Sequence, residues 1–131
     1  MILTARDNTR MAGLHPDLIA IVRHAAGTAG INFMVIEGLR TIEKQREYFA
    51  AGKSKTMRSR HLTGHAIDIA PLIDLDNDGD LDLSWRASDF EPLALAMKSA
   101  ARYLGLPIEW GGDWKSFHDA PHFQLPWEFY P

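Results

Sequence analysis

The sequence predicts a single α+β domain over residues 1–131, with helices packed on one face of a small, mainly antiparallel sheet. The first observation is length, because a chain of 131 residues typically forms one domain and can bury a hydrophobic core without disulfide bonds. The second is composition: 46% of the residues are hydrophobic and 24% are charged, which excludes fibrous and disordered classes. The third is that helical periodicity and strict alternation of apolar residues both occur along the chain.

The predicted helices are marked by apolar spacing and by residues suited to helix ends. Pro16 stands at the first position of an amphipathic segment. Thr41 can cap the next helix. Ser88 and Glu91 form the pattern of a capping box at the start of a third. We therefore predict helices over residues 16–29 and 42–51 and from Ser88 to near Gly105.

The predicted strands combine apolar or alternating runs with flanking turn residues. Ile67 and Ile69 alternate with Asp68, which places the carboxylate on the opposite face of its strand from the two isoleucines. The sequence Asn77-Asp78-Gly79 is typical of a hairpin turn. We therefore predict strands over residues 31–36, 65–70, 108–110 and 122–125, and a hairpin over residues 72–85.

The net charge of −3 disfavours general affinity for nucleic acid. The charge is nevertheless uneven along the chain. Residues 40–60 contain seven basic and two acidic residues, a balance of +5, whereas residues 68–91 contain one basic and eight acidic residues, a balance of −7. The basic segment could face an anionic polymer, or it could be a solvated helix face with a loop. Its interspersed acidic residues argue against nucleic acid as the partner.

Cysteine and membrane signals are both absent from the sequence. Without cysteine there is no disulfide, thiolate ligand or thiol nucleophile, which leaves metal binding to histidine and carboxylate. No apolar run approaches the ~20 residues of a membrane span, and the first residues contain no apolar signal segment. We expect a monomer that is made in the cytoplasm without a signal peptide and does not insert into a membrane.

The segment Ser59–Asp68 contains candidate ligands for a metal ion. Catalytic zinc usually takes three nitrogen or oxygen ligands and leaves a fourth position for water. His61 and Asp68 are seven residues apart, and Gly64 between them permits a turn that folds the histidine back over the carboxylate. The two side chains could therefore share one ion.

A second candidate group lies near the C-terminus, in Asp119-Ala120-Pro121-His122. Alternation along the last strand sends His122 and Gln124 to one face and Phe123 and Leu125 to the core. Asp119 lies in a loop restricted by proline, where it could act as a base beside a metal ion. Each candidate group is weak alone, but together they supply two histidines, one aspartate ligand and a spare carboxylate, the composition of a hydrolytic zinc site.

With these residues the sequence resembles the zinc peptidases that group D-alanyl-D-alanine metallopeptidases with lysostaphin-type enzymes and the hedgehog signalling domain. The nearest likeness is to phage endolysins that are L-alanyl-D-glutamate peptidases. The likeness runs through Gly13–Leu18, Glu37–Thr41, Ser59–Asp68, Trp110–Trp114 and Asp119–Phe123. It implies a hedgehog/D-Ala-D-Ala peptidase-like fold and zinc-dependent cleavage of peptidoglycan stem peptides during host cell lysis, after release from the host cytoplasm.

The resemblance also implies roles for individual residues. His61, Asp68 and His122 would be the zinc ligands, and Asp119 the catalytic base. Arg40 would stabilise the developing oxyanion or hold a substrate carboxylate, with a surface arginine as the alternative. Ser59 and Asp113 are also expected to bind substrate. Trp110 and Trp114 flank Gly111-Gly112, where they are expected to line the substrate groove or, alternatively, to pack in the core.

Five aspartates between residues 74 and 82 resemble the first nine positions of an EF-hand calcium loop, with Gly79 at the turn position. Position twelve would be Trp85 in place of the bidentate glutamate. Two interpretations remain: a calcium site that orders the hairpin and regulates activity, or a solvated hairpin tip. The calcium interpretation uses Asp74, Asp76, Asp78, Asp80 and Asp82.

Two alternative functions also remain. The first is a D,D-carboxypeptidase or dipeptidase on the same scaffold, which would close one end of the substrate groove. The second is a non-catalytic zinc-binding domain that binds a partner through the groove. Asp119 beside the metal favours catalysis over the second alternative.

Overall fold

The computed structural model describes residues 1–131 as four α-helices, five strands and two short 3₁₀ turns. The helices are α1 (Ala5–Arg10), α2 (Pro16–Ala26), α3 (Ile42–Ala50) and α4 (Ala87–Leu104). The strands are β1 (Phe33–Glu37), β2 (Ala66–Ile73), β3 (Asp82–Leu83), β4 (Glu109–Trp110) and β5 (His122–Gln124). The 3₁₀ turns are η1 (Arg60–Thr63) and η2 (Gly111–Asp113). None of the helices combines the length and the apolar character needed to cross a bilayer.

Strand β2 organises the sheet, whose order is β1-β2-β5-β4 with β3 paired to the far end of β2. All of these pairings are antiparallel, as the sequence predicts. The register places Asp68 opposite His122 on one side and opposite Glu37 on the other. Three polar side chains from distant parts of the chain are therefore brought into one row across the sheet.

The apolar core holds that row in place from the other face of the sheet. Helices α2 and α4 pack against each other, and α4 packs against β2. Burial of each large apolar side chain contributes about 1.5–3 kcal/mol to folding. The fully buried side chains come from every layer: Leu18, Ile21, Phe33, Ile67, Ile69, Phe90, Leu93, Met97, Phe123 and Leu125.

Most predicted elements are present with ends shifted by a few residues, and the differences at α2 and α4 have a clear physical reason. Helix α2 stops at Ala26, because the chain turns at Gly27 before it reaches Gly30. The predicted capping box at Ser88 is wrong: α4 begins after Arg86 without any side-chain cap. The first-turn acid of that helix, Asp89, instead accepts hydrogen bonds from the Ser84 hydroxyl and the Arg86 guanidinium.

Helix α1 was not predicted, because six residues are too few to show a helical period. Thr4 and Asp7 form a capping box at its start. The second oxygen of Asp7 accepts the backbone N–H of Val35 at 3.0 Å, and Asp7 is only 2% exposed. This one carboxylate therefore ties α1 to β1 as well as capping the helix.

Replacement of Asp7 should destabilise the whole domain. Asp7→Ala leaves the backbone N–H groups of Thr4 and Val35 without their acceptor, so we expect the free energy of unfolding to fall by about 1–3 kcal/mol. Urea unfolding measures the loss. The control Glu43→Ala removes an exposed first-turn acid of α3 and should change the same quantity by less than about 0.5 kcal/mol. Equal losses of unfolding free energy in the two variants would contradict the conclusion that the Asp7 carboxylate ties α1 to β1.

Candidate metal centre

The side chains of His61, Asp68 and His122 converge on one point. One Asp68 carboxylate oxygen, Oδ1, lies 3.2 Å from His61 Nε2 and 3.3 Å from His122 Nδ1. Each of the three residues offers one ligand atom, and these atoms all lie within 4.8 Å of one another. Both histidines are buried and Asp68 is half-buried. The group has the composition and spacing to hold a metal ion.

Local turns and sheet register bring the three residues together. Gly64 ends η1 with φ = +77°, a left-handed conformation that glycine adopts without strain. A Cβ at this position would also lie 2.6 Å from the carbonyl oxygen of Gly13. The turn returns the chain into β2, so His61 lies over Asp68. The pairing of β2 with β5 then adds His122 to the pair.

Hydrogen bonds fix which nitrogen of each imidazole carries the proton. His61 Nδ1 lies 2.8 Å from the carbonyl oxygen of Gly38, which can only accept, so Nδ1 is the donor. His122 Nε2 lies 2.7 Å from the amide oxygen of Gln124 and donates to it. The remaining nitrogens, His61 Nε2 and His122 Nδ1, therefore face Asp68. As neutral imidazoles they offer lone pairs to a cation at this point, and when protonated they donate hydrogen bonds to the carboxylate.

The orientation of the Gln124 amide depends on a further acid, Glu109. Gln124 Nε2 donates to Glu109 Oε2 at 3.2 Å, which leaves the amide oxygen facing His122. The same Glu109 oxygen accepts the indole N–H of Trp114 at 3.1 Å. Alternation along the last strand places Gln124 on the face of His122, but no feature of the linear sequence marks Glu109 as part of the site.

The environment keeps the Asp68 carboxylate ionised. Burial alone would raise its pKa, but hydrogen bonds with His122 and His61 outweigh burial and hold the pKa well below its usual range. For His122, burial lowers the pKa, yet the hydrogen bond and charge of Asp68 give a net rise. A negative charge at the meeting point of two imidazoles is the electrostatic setting of a cation site.

Asp119 stands beside this group without belonging to it. Its Oδ2 lies 3.9 Å from His122 Nδ1, and its side chain is 41% exposed. The backbone holds it closely, because Asp119 N–H donates to the Gly111 carbonyl and a Cβ on Gly111 would lie 3.1 Å from Cβ of Asp119. Burial raises the pKa of Asp119, and the charge of Asp68 raises it further. The result is a carboxylate suited to proton exchange.

Arg40 lies on the other side of Asp68, with Nη2 4.0 Å from Asp68 Oδ2. Its guanidinium forms an ion pair with Glu37 and donates to Gln45 Oε1 at 2.7 Å and Ser59 Oγ at 3.4 Å. Four of its five N–H groups are therefore engaged within the protein. The guanidinium is a buried, fixed cation next to the candidate metal ligands.

A cavity of about 1050 Å³ opens over these residues. It contains seven of the site residues expected from the sequence: Arg40, Ser59, His61, Asp68, Trp114, Asp119 and His122. It also contains residues that the sequence did not single out, among them Tyr48, Glu109, Phe117 and Trp127.

Two residues expected to bind substrate lie outside the cavity lining. Trp110 is a core residue that stacks on Phe123 and donates its indole N–H to the carbonyl of Ala120 at 2.7 Å. Asp113 pairs with Lys98 at 2.6 Å. For Trp110 the structure favours the alternative of core packing, and of these residues only Trp114, which follows η2, lines the cavity.

The acidic hairpin tip brings four of its five aspartates together. Carboxylate oxygens of Asp74, Asp76, Asp78 and Asp82 lie within 4.8 Å of one another, and Asp80 is outside this group. Asp74 already accepts the backbone N–H groups of Asp78 and Gly79. Strands β2 and β3 flank the loop in place of the helices of an EF-hand.

The family of the chain follows from comparison with known proteins. The model of the family described as phage L-alanyl-D-glutamate peptidase matches residues 1–125. The chain belongs to this family. It is 30% identical over 117 residues to the L-alanyl-D-glutamate peptidase of Escherichia phage T5, a match that covers 84% of this chain and 81% of the relative.

Two solved structures are also similar to this chain. The crystal structure of the Serratia marcescens L-Ala D-Glu endopeptidase ChiX superposes with a TM-score of 0.88 at 43% identity, covering 98% of this chain and 92% of ChiX. The D,D-dipeptidase VanXYg superposes with a TM-score of 0.51 at 18% identity, covering 86% of this chain and 50% of that protein, which is a likeness of fold alone. The predicted α+β fold, with the likeness to D-Ala-D-Ala peptidases, is confirmed.

Calcium binding at the hairpin tip stays a prediction, and a titration decides it. If the tip binds calcium, added Ca²⁺ should raise the melting temperature, because the ion binds only the folded loop. Asp76→Asn, which removes one carboxylate of the group, should reduce that rise. If Ca²⁺ changes neither the melting temperature nor the activity, the tip is a solvated hairpin.

Proposed function

We propose that this chain is a zinc-dependent endopeptidase that hydrolyses the L-alanyl-D-glutamate bond of peptidoglycan stem peptides, as phage endolysins do in host cell lysis. The observation that carries the proposal is the meeting of two imidazole lone pairs and one carboxylate, with a free carboxylate beside them, in an open cavity. Membership of the phage L-alanyl-D-glutamate peptidase family supports the choice of bond. Under this proposal the partner is the bacterial cell wall, and the enzyme acts on it as a monomer.

The ligand set of His61, Asp68 and His122 fits zinc. Two nitrogens and one oxygen are the composition of many catalytic zinc sites, which leave a fourth position for water. Ligand atoms about 2.0–2.1 Å from a tetrahedral ion lie about 3.3 Å apart. The separations here, 3.2 and 3.3 Å, are close to that value. When bound, zinc supplies an activated water at neutral pH and polarises the scissile carbonyl.

Asp119 is the proposed general base. It accepts a proton from the attacking water as the water oxygen bonds to the scissile carbonyl carbon. When the C–N bond breaks, Asp119 returns the proton to the leaving amine. Its raised pKa and its partial exposure in the cavity suit both transfers.

Arg40 acts as a fixed positive charge. Since four of its N–H groups are held by Glu37, Gln45 and Ser59, it is a poor clamp for a mobile carboxylate. Its position beside Asp68 instead places a preorganised cation near the negative charge that develops on the carbonyl oxygen.

Glu109 and Gln124 are proposed to position His122. A carboxylate can only accept hydrogen bonds, so Glu109 forces the Gln124 amide nitrogen toward itself and the amide oxygen toward His122. That oxygen retains the proton on His122 Nε2 and keeps the Nδ1 lone pair available to the metal. Partners of this kind commonly change metal affinity by about 10–100-fold.

Product analysis distinguishes the proposed bond from the alternatives. Purified muropeptides should be cut between L-alanine and D-glutamate, and mass spectrometry should find muramyl-L-alanine and a peptide that begins with D-glutamate. Loss of only the terminal D-alanine would favour a D,D-carboxypeptidase. Unchanged muropeptides with zinc bound would favour the non-catalytic alternative.

Replacement of Asp119 separates catalysis from metal binding. Asp119→Ala should reduce turnover by about 10²–10⁴-fold, the usual contribution of a general base. Zinc should stay bound, because Asp119 is outside the ligand group. Muropeptide hydrolysis and zinc content are measured on the same sample, with His122→Ala as the matched variant that should lose the metal. Near-normal turnover in Asp119→Ala would refute its role.

Replacement of Glu109 tests the positioning of His122. Glu109→Gln removes the obligatory acceptor and lets the Gln124 amide rotate, so we expect zinc affinity to fall about 10–100-fold in chelator competition. The absorption spectrum of the cobalt-substituted protein should change as well. If Glu109 acts through Gln124, the same change in a Gln124→Leu background should have little further effect. Independent, additive losses would assign Glu109 a merely structural role.

A further inference from the structure

One segment of the cavity wall carries cations without acidic partners. Lys53, Lys55 and Arg58, here called the basic wall, all line the cavity and are all exposed. The lysine and arginine side chains that do pair with carboxylates in this protein are Arg40, Lys44, Arg86 and Lys98. The three charges of the basic wall are therefore available to a ligand.

Aromatic rings orient two of these cations without neutralising them. Lys55 Nζ lies 5.5 Å from the ring centre of Phe117, and the Arg58 guanidinium carbon lies 5.4 Å from that of Trp127. Phe117 has φ = +52°, a conformation that is uncommon for a bulky residue and that marks functional sites when it persists. Both rings line the same cavity.

A buried amide fixes the basic wall relative to the metal centre. Gln45 is fully buried, and its Nε2 donates to Ser54 Oγ at 2.8 Å and to the Thr56 carbonyl at 2.5 Å. Its amide oxygen accepts from Arg40, which lies 4.0 Å from Asp68. Both ends of this amide are engaged, so the segment that carries the cations is connected to the candidate zinc ligands through Gln45 and Arg40.

The acids of the cavity leave the basic wall without a partner inside the protein. Glu37 is paired with Arg40, and Glu109 accepts hydrogen bonds from Gln124 and Trp114. Asp68 contacts His61 and His122, and Asp119 lies beside His122. The missing negative charge is one that a substrate can bring. In stem peptides D-glutamate is linked through its γ-carboxyl, so its α-carboxylate is free on the residue whose amine leaves. A substrate cut at this bond thus carries a carboxylate next to the scissile atoms.

We propose that the basic wall binds the free α-carboxylate of D-glutamate and makes the enzyme selective for stem peptides in which that carboxylate is not amidated. The inference rests on the proposed function, because it takes the bond cut to be L-alanyl-D-glutamate. It assigns Lys53, Lys55 and Arg58 to substrate recognition and leaves proton transfer to Asp119.

A matched pair of synthetic peptides tests the inference on the unmodified enzyme. Both are N-acetyl-L-Ala-γ-D-Xaa-L-Lys amides, in which Xaa is glutamate in one and isoglutamine in the other, so a single carboxylate distinguishes them. We expect kcat/KM to be about tenfold or more higher for the glutamate peptide, the effect of a charge-assisted contact. Added salt should reduce this ratio.

Variants then locate the contact. The triple change Lys53→Gln, Lys55→Gln and Arg58→Gln should lower kcat/KM for the glutamate peptide and bring the ratio of the two peptides close to one. Arg102→Gln, which removes an exposed cation at the end of α4, outside the cavity lining, should preserve the wild-type ratio.

The outcomes separate the two proposals. Equal cleavage of both peptides by the wild-type enzyme overturns the inference and leaves the proposed function standing. An unchanged preference in the folded triple variant also overturns it. Failure of the zinc-loaded enzyme to cut either peptide overturns the proposed function and the inference with it.

Discussion

The Asp68 carboxylate lies between the imidazoles of His61 and His122, and the rest of the site depends on this contact. An ionised carboxylate that is largely removed from water needs compensating partners. Here two imidazoles, the Arg40 guanidinium and, by our proposal, a zinc ion provide them. The sheet supplies the geometry, because the antiparallel register of β2 with β5 places Asp68 directly opposite His122. A shift of one residue in this register would turn the Asp68 side chain toward the core and separate it from the two imidazoles.

Two chains of hydrogen bonds extend outward from the candidate metal centre, and each fixes the position of a different group. One runs from His122 through Gln124 to Glu109, and it fixes the tautomer of a candidate ligand. The other runs from Arg40 through Gln45 to the segment at Ser54 and Thr56, and it fixes the place of the basic wall. In both chains a buried glutamine uses its amide oxygen and its amide nitrogen in hydrogen bonds to different groups. Because its amide can then point only one way, it fixes the orientation of those groups relative to each other.

Much of the candidate site could be predicted from the sequence, because its candidate ligands lie in short patterns. Gly64 between His61 and Asp68 indicated the turn, and alternation placed Asp68 and His122 on polar strand faces. Glu109, Gln45 and Trp127 could not be found in this way, since their importance comes from contacts between residues distant in the chain. The same holds for Asp7, whose carboxylate meets a strand 28 residues away. For Trp110 the sequence left groove and core open, because a tryptophan can serve either, and only the structure places it in the core.

X-ray absorption spectroscopy of the zinc-loaded protein tests the central claim most directly, because it observes the ligands themselves. We predict one zinc ion per chain, bound by two imidazoles and by oxygen ligands, with Zn–N distances of about 2.0–2.1 Å. His122→Ala, loaded and desalted in the same way, should retain little zinc and show no such imidazole scattering. A spectrum without imidazole scattering, or a protein that binds no zinc, would contradict the account.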